Sequence, residues 1–493
     1  MVLWMVLLCT LVSSLLGGLY VLGVFRRQRP NEPPLDKGTI PWLGHLLEFR
    51  KDSSEFLKRM QSKHGDVFTV LIGGHYFTFV MDPFSFGTIV KESRSKLDFR
   101  TSVIQLVVQA FGYKPTEATY SIVHTSSIKH LMGAGLTVLT QATMESFRKL
   151  LLFKLSSGEK RVWQEENLFH YCYNIVFRAG YLALYGTEPP RGAGSQEKAE
   201  EQDRLHSNQL FQEFRKYDRL FPCLAYALLP PKDKREAERL KRHFWNVLSV
   251  KNVWQKDNIS GWISDQDKLL AENGVPEYMR ERFMFMLLWA SQGNTGPTAF
   301  WLLLYLLKHP EALKAVRDEV DKVLRESGQE VKAGSPPVTV TRDMLNQTPL
   351  LDSALEETLR LVAAPMLVRA SSPCARGDRV ALFPHISMQM NPEIHEEPHK
   401  FKYDRFVNPD GTRRDFYRNG KKLKFVSMPW GAGVSTCPGR FFATAEMKLF
   451  VFLMLNLCSA NTDMILFAQC LSWLLLVPPP PRVLLLLVVL VMG

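Results

Sequence analysis

From residue 2 to residue 24 the chain is apolar almost without interruption and carries no charge, about long enough to cross a bilayer as one helix. Arg26, Arg27 and Arg29 follow at once. A cleaved leader has its basic residues first and a shorter apolar run, so this order predicts an uncleaved anchor over 1–24 with its downstream side in the cytosol. Pro30, Pro33 and Pro34 make 25–36 a stiff, basic linker. The pattern changes at VFTVLIGGHYFTFV (67–80), where two runs rich in β-branched and aromatic residues flank Gly73 and Gly74 and predict a hairpin. Helical periodicities dominate after it. The segment 280–308 is apolar nearly all round, as in a long helix at the centre of a large protein. Its middle, SQGNTGP (291–297), places Gly293, Gly296 and Pro297 where a regular helix loses stability, which predicts a kink or bulge. Arg280, Glu281 and Arg282 beside that polar centre argue against a second membrane span. EALKAVRDEVDKVL (311–324) reads as an amphipathic surface helix, and TPLLDSALEETLRL (348–361) as a helix capped by Thr348 with Pro349 in its first turn.

Composition narrows the class. Apolar residues make up 46% of the 493 positions and charged residues 22%, so a disordered or fibrous chain is excluded. The net charge of +12 suits an anionic membrane surface, an acidic partner or nucleic acid. No finger spacing, RNP signature or basic heptad region accompanies it, which argues against nucleic acid. Seven scattered cysteines are the opposite of a disulfide framework and place the folded part in a reducing compartment.

One cysteine stands apart. In MPWGAGVSTCPGRFFATAEMKLFVFLML (428–455), Gly431, Gly433 and Gly439 surround Cys437, giving a loop of little bulk whose backbone can lie against a flat partner. Pro438 suits the first position of a following helix, and a sulfur at a helix N-terminus is favoured as thiolate, a metal-binding form. A lone cysteine is more often a small buried hydrophobe, and no spacing nominates a histidine base for a nucleophile. Glu357 and Arg360, three apart, share a helix face, with Glu356 a competitor for the same arginine. Phe285 and Trp289, one turn apart, are candidates for a pocket wall or for plain core packing.

The order W-G-x-G-x-x-x-C-P-G-R-F-F resembles the heme-binding loop of the cytochrome P-450 heme-thiolate monooxygenases. That resemblance implies a mainly α fold: a large helical domain over 37–458 with a long central helix and small β-sheets, behind an N-terminal membrane anchor helix. It makes Cys437 the iron ligand of heme b, with Trp430, Gly431, Gly433 and Gly439 on the binding loop. Trp430 replaces the usual phenylalanine, and Ser435 replaces a basic residue that commonly meets a heme propionate. Glu357 and Arg360 with Arg405, from FKYDRF, would form a buried ion network. The family's acid–alcohol pair on the central helix is absent, its positions holding Gly293 and Asn294. Gln292, Asn294 and Thr295 are left as candidates to order a proton-carrying water.

Within the family, LWASQGNTGPTAFWLLLYLLKHPEA and PPLDKGTIPWLGH resemble the branch of sterol hydroxylases and prostacyclin synthase. The resemblance implies hydroxylation of a sterol, at the 12-alpha position in bile acid synthesis, using O2 and electrons from NADPH through a flavoprotein reductase. Membrane lipid would be a further partner, the location being the endoplasmic reticulum membrane, single-pass, with the catalytic domain cytosolic. The basic run Arg413, Arg414, Arg418, Lys421, Lys422 and Lys424 is a candidate docking face for the reductase. A prostacyclin-synthase-like isomerase and a catalytically impaired membrane-bound relative are the competing readings. Two departures support the last: the join between Arg369 and Gly377 is shorter than in the family, and 459–493 is an apolar tail in place of the family's C-terminal β-hairpin.

Overall fold

Gly73 and Gly74 both take positive φ, 56° and 80°, and close a two-residue turn in which Ile72 stands opposite His75. They join β2 (Val67–Ile72) to β3 (His75–Val80) as the pattern predicts. Gly74 is required for a second reason: a Cβ there would lie 2.4 Å from the indole nitrogen of Trp42. With β1 (Leu35–Asp36), β4 (Leu97–Asp98), β5 (Leu367–Ser371) and β6 (Arg379–Leu382), this hairpin forms a six-stranded sheet in the order β1-β2-β3-β6-β5-β4. Phe68, Val70 and Phe79 of the sheet pack with Phe56, Leu57 and Met60 of the helix Ser53–His64 into one core. The sheet begins inside the stretch read as linker, since β1 pairs in parallel with β2 and the Pro34 carbonyl accepts from the Thr69 amide. Arg26 is likewise engaged, with Asp378 at 2.8 Å, Glu32 at 3.1 Å and the Tyr76 ring beneath it.

The computed structural model describes every residue except 1, 22–25, 29, 94–95, 99, 157–165, 192–194, 226–228, 330–337, 364, 366, 372–377 and 461–493. Two units are distinguished: the sheet-bearing one, of 1–103, 364–398 and 416–435, and a larger helical one, of 104–363, 399–415 and 436–493. The shortened join after Arg369 closes β5 against β6 in antiparallel register, with Ala370 opposite Arg379, while 372–377 and most of the apolar tail lie outside the described residues. The anchor segment is helical over Val2–Val21, and its side chains from Trp4 to Leu16 and at Tyr20 are exposed. Among the described residues no helix is long and apolar enough to cross a membrane.

In the helical unit, the helix Leu168–Tyr185 is buried along most of its length among Gly133–Ser156, Thr295–Lys308 and Arg440–Ala460. The central apolar segment is two helices, Glu277–Gln292 and Thr295–Lys308, broken at Gly293 and Asn294. Glycine and proline permit the break, but a residue far away in sequence fills it. Tyr173 donates its phenol hydroxyl to the Gly293 carbonyl at 3.0 Å, and a Cβ on Gly296 would stand 2.4 Å from the Tyr173 ring. The helix Pro349–Val362 starts where expected, but Thr348 does not cap it. The Thr348 hydroxyl, fully buried, donates instead to the Leu345 carbonyl, and the Glu319 carboxylate accepts the free N–H groups of Leu350 and Leu351 at 2.8 and 3.0 Å.

Candidate active site

Cys437 sits three residues ahead of the helix Arg440–Ala460 and is 4% exposed. The backbone N–H groups of Gly439 and Arg440 act on its sulfur and lower its pKa, as the helix N-terminus should. Burial is the larger effect and pushes the thiol up to about 11. Desolvation disfavours the anion more than two amides and the Arg440 charge favour it. Arg440 also donates to the Cys437 carbonyl at 3.0 Å, and Gly439 leaves open the space 3.9 Å from Sγ that a side chain would begin to fill.

Upstream, in the sheet-bearing unit, Gly431 and Gly433 take φ of 69° and 62°. Gly433 is fixed by a close approach within that unit, for its Cβ would lie 2.2 Å from the Val90 carbonyl oxygen. Trp430, two residues before Ala432, is half-buried. Ser435 is buried and accepts at 3.0 Å from the guanidinium of Arg369, itself 2% exposed. Sequence reasoning named Ser435 as a lost positive charge and missed that β5 delivers an arginine to it; the pairing spans 66 residues and leaves no local signal.

The ion network is present within the helical unit. Glu357 and Arg360 are fully buried and Arg405 is 4% exposed. The Glu357 carboxylate accepts from Arg360 Nε at 2.6 Å and Nη2 at 2.8 Å, from Arg405 Nε at 2.9 Å and from the Lys402 amide at 3.1 Å. These bonds tie the 400–406 segment to the Pro349–Val362 helix. Glu356 does not compete, because it points outward and takes both guanidinium nitrogens of Arg413 at 2.7 and 2.8 Å.

Around the helix break, the Thr295 hydroxyl donates to the Ser291 carbonyl at 3.0 Å, so its proton is engaged within the helix. Asn294 makes no cap with its side chain, and its amide nitrogen is buried without a hydrogen-bond partner among the described residues. Gln292 is fully buried, and neither its amide nitrogen nor its oxygen has a hydrogen-bond partner among the described residues. Phe285 stacks on Phe244, with centroids 4.4 Å apart and planes 2° from parallel, and meets Tyr217 edge-on. Trp289 stacks on Phe221 at 3.9 Å. Both are members of one aromatic cluster. Near it Asp218 pairs with Arg215 at 2.7 Å, and burial raises its carboxyl to about 6. The indole N–H of Trp289 adds a weak favourable influence there without forming a good hydrogen bond.

Of the basic run, Arg413 and Arg414 belong to the helical unit, where Arg413 is held by Glu356 and Arg414 donates to the Val407 carbonyl. In the other unit Arg418 is bound to Glu393 at 2.6 Å, Lys421 and Lys422 form β8 opposite β7 (Tyr417–Arg418), and Lys424 lies beside Lys91, whose charge lowers its pKa.

A sequence model of the cytochrome P450 family matches residues 206–486. The chain belongs to the cytochrome P450 family. Human 7-alpha-hydroxycholest-4-en-3-one 12-alpha-hydroxylase is 49% identical to this P450 over 471 residues, covering 92% of each chain. Human prostacyclin synthase is 43% identical over 87% of each. Among solved structures, retinoic acid bound cyanobacterial CYP120A1 superimposes with a TM-score of 0.61 over 86% of this P450 and 91% of its own chain, at 20% identity, a likeness of fold. Membership implies heme iron, O2 and electrons from NADPH through a reductase.

Proposed function

We propose that this P450 hydroxylates a sterol at the 12-alpha position in bile acid synthesis. The observation that carries the reading is the 49% identity along 92% of the chain to an enzyme named for that reaction, on a fold that retains a buried cysteine at the helix N-terminus. The residues fit heme. Cys437 would hold the iron, with Gly431, Gly433 and Gly439 keeping the loop backbone free of side chains and Trp430 on the same loop. When bound, heme supplies a thiolate-ligated iron that activates O2 for attack on an unactivated C–H bond.

The remaining work falls to the protein. The amides of Gly439 and Arg440 temper the basicity of the sulfur. Asn294, with a donor to spare at the helix break, is the leading candidate to hold a proton-carrying water; Thr295 can only accept, and Gln292 lies two residues back. Trp289 would offer an apolar wall to the rigid sterol, whereas Phe285, fully buried against Phe244 and Tyr217, packs the core behind it. The reductase would dock on the basic run Arg413, Arg414, Arg418, Lys421, Lys422 and Lys424, whose positive charge would attract an acidic partner. The apolar segment 1–24, whose side chains from Trp4 to Leu16 are exposed, would anchor the chain, single-pass, in the endoplasmic reticulum membrane, from which a lipid-soluble substrate enters.

The test is incubation of the heme-loaded protein with reductase, NADPH, 18O2 and 7-alpha-hydroxycholest-4-en-3-one. One labelled oxygen at carbon 12 supports the proposal. The absence of an acid–alcohol pair at Gly293 and Asn294 favours a second reading, a prostacyclin-synthase-like isomerase, which would rearrange an endoperoxide without NADPH. A fully heme-loaded protein that does neither is the impaired relative.

A further inference from the structure

The first half of the central helix ends on Gln292, and its fully buried side chain meets a second fully buried polar group, Glu446 of the helix Arg440–Ala460. Neither Gln292 Nε2 and Oε1 nor the two Glu446 oxygens find a hydrogen-bond partner among the described residues. A glycine brings them together. A Cβ on Gly180 would stand 2.3 Å from Glu446 Oε1, 2.4 Å from Gln292 Nε2 and 2.5 Å from Gln292 Oε1. The amide and the carboxyl thus face each other across the space the missing methyl leaves free.

An ionised carboxylate cannot be left alone in such a place; it takes up a proton or finds a cation. Among the described residues no cation is offered. Desolvation alone acts on Glu446 and raises its pKa well above the ordinary range, with no charged side chain contributing. Lys448, two residues on, is turned to Asp352 and the Leu345 carbonyl, and Arg178, on the helix that carries Gly180, donates to Asn174, Ser207 and the Arg204 carbonyl.

We propose that Glu446 and Gln292 form a buried carboxylic acid–amide pair. The Glu446 hydroxyl donates to Gln292 Oε1, and Gln292 Nε2 donates to the other Glu446 oxygen, directly or through one bridging water. All four polar atoms are then satisfied without any charge. The pair pins the last residue of the first half-helix, one position before the Gly293–Asn294 break. Glu446 is a positioning residue for the turn that presents Asn294. This role rests on the oxygenase reading; the pair itself does not.

Infrared spectroscopy of the heme-loaded full chain tests it. At neutral pH the wild type should show the carbonyl stretch of a protonated, hydrogen-bonded carboxylic acid, shifted in D2O. Glu446→Gln should remove that band yet melt close to wild type, because two amides can still pair; Glu446→Leu, which orphans Gln292, should melt lower. Gln292→Leu should move the band to the higher frequency of an acid without a partner. A wild-type spectrum with no such band, a band that survives Glu446→Gln, or a band unmoved by Gln292→Leu overturns the proposal. If Glu446→Gln does not fold, the comparison of wild type with Gln292→Leu decides. The CO spectrum and sterol product measured on the same samples report the oxygenase reading separately.

Discussion

Two adjacent glutamates of the Pro349–Val362 helix should differ sharply when each is cut to alanine. Glu357 receives four hydrogen bonds, three from buried guanidinium groups and one from the Lys402 amide. Glu357→Ala removes a carboxylate that pairs with two arginines that are 0% and 4% exposed. Leaving buried charge uncompensated costs about 3–5 kcal/mol. Glu356 makes an equally short pair, but its partner Arg413 has a side chain 66% exposed, where water and salt screen the attraction. Such pairs contribute about 0–1 kcal/mol. The assay is the urea midpoint of the heme-loaded protein, compared at constant slope, together with heme bound per polypeptide. Glu357→Ala should lower both strongly, Glu356→Ala barely, and Glu357→Gln, which keeps the shape and loses the charge, should fall between. Equal midpoint shifts for the two alanine variants would refute the reasoning, because burial would then not decide the worth of these pairs.

Gly433→Ala should destabilise by about 1–3 kcal/mol, since its Cβ must displace the Val90 carbonyl and its backbone sits at φ 62°; thermal melting that matches wild type would contradict this. Tyr173→Phe removes the hydrogen bond to the Gly293 carbonyl and should cost about 1–2 kcal/mol, read as a lower urea midpoint, while Phe285→Tyr leaves that bond intact. Asp218 has its folded-state pKa raised to about 6 by burial, so stability falls as pH rises from about 4, where the unfolded chain ionises, to about 6, where the folded protein does. Asp218→Asn should flatten that part of the pH–stability profile, and an unchanged slope would show that the carboxyl is already ionised in the fold.

The parts of the structure that local patterning could reveal are those built from short-range physics. The double glycine before His75 and the glycine and proline content of 291–297 each act within one turn, and the hairpin and the broken helix lie where they point, whereas the helix after Cys437 starts at Arg440, two residues beyond Pro438. Glu357 and Arg360 share a helix face for the same reason, and the family pattern supplied Arg405. What was illegible depends on distant segments meeting. Tyr173 fills the break from 120 residues away, Glu319 takes the capping role assigned to Thr348, and Arg369 reaches Ser435. Net desolvation is equally invisible in a sequence, which is why the Cys437 thiol stands at about 11 although its helix position argues for thiolate. Glu446 and Gln292 read as ordinary helical residues until Gly180 brings them together.

The central claim is that the sulfur of Cys437 ligates heme iron. The measurement is the absorption spectrum of the reduced, CO-treated protein beside that of Cys437→Ala. The account predicts the red-shifted Soret band of thiolate-ligated heme in the wild type and its loss in the variant. The same red-shifted band in both proteins would contradict it.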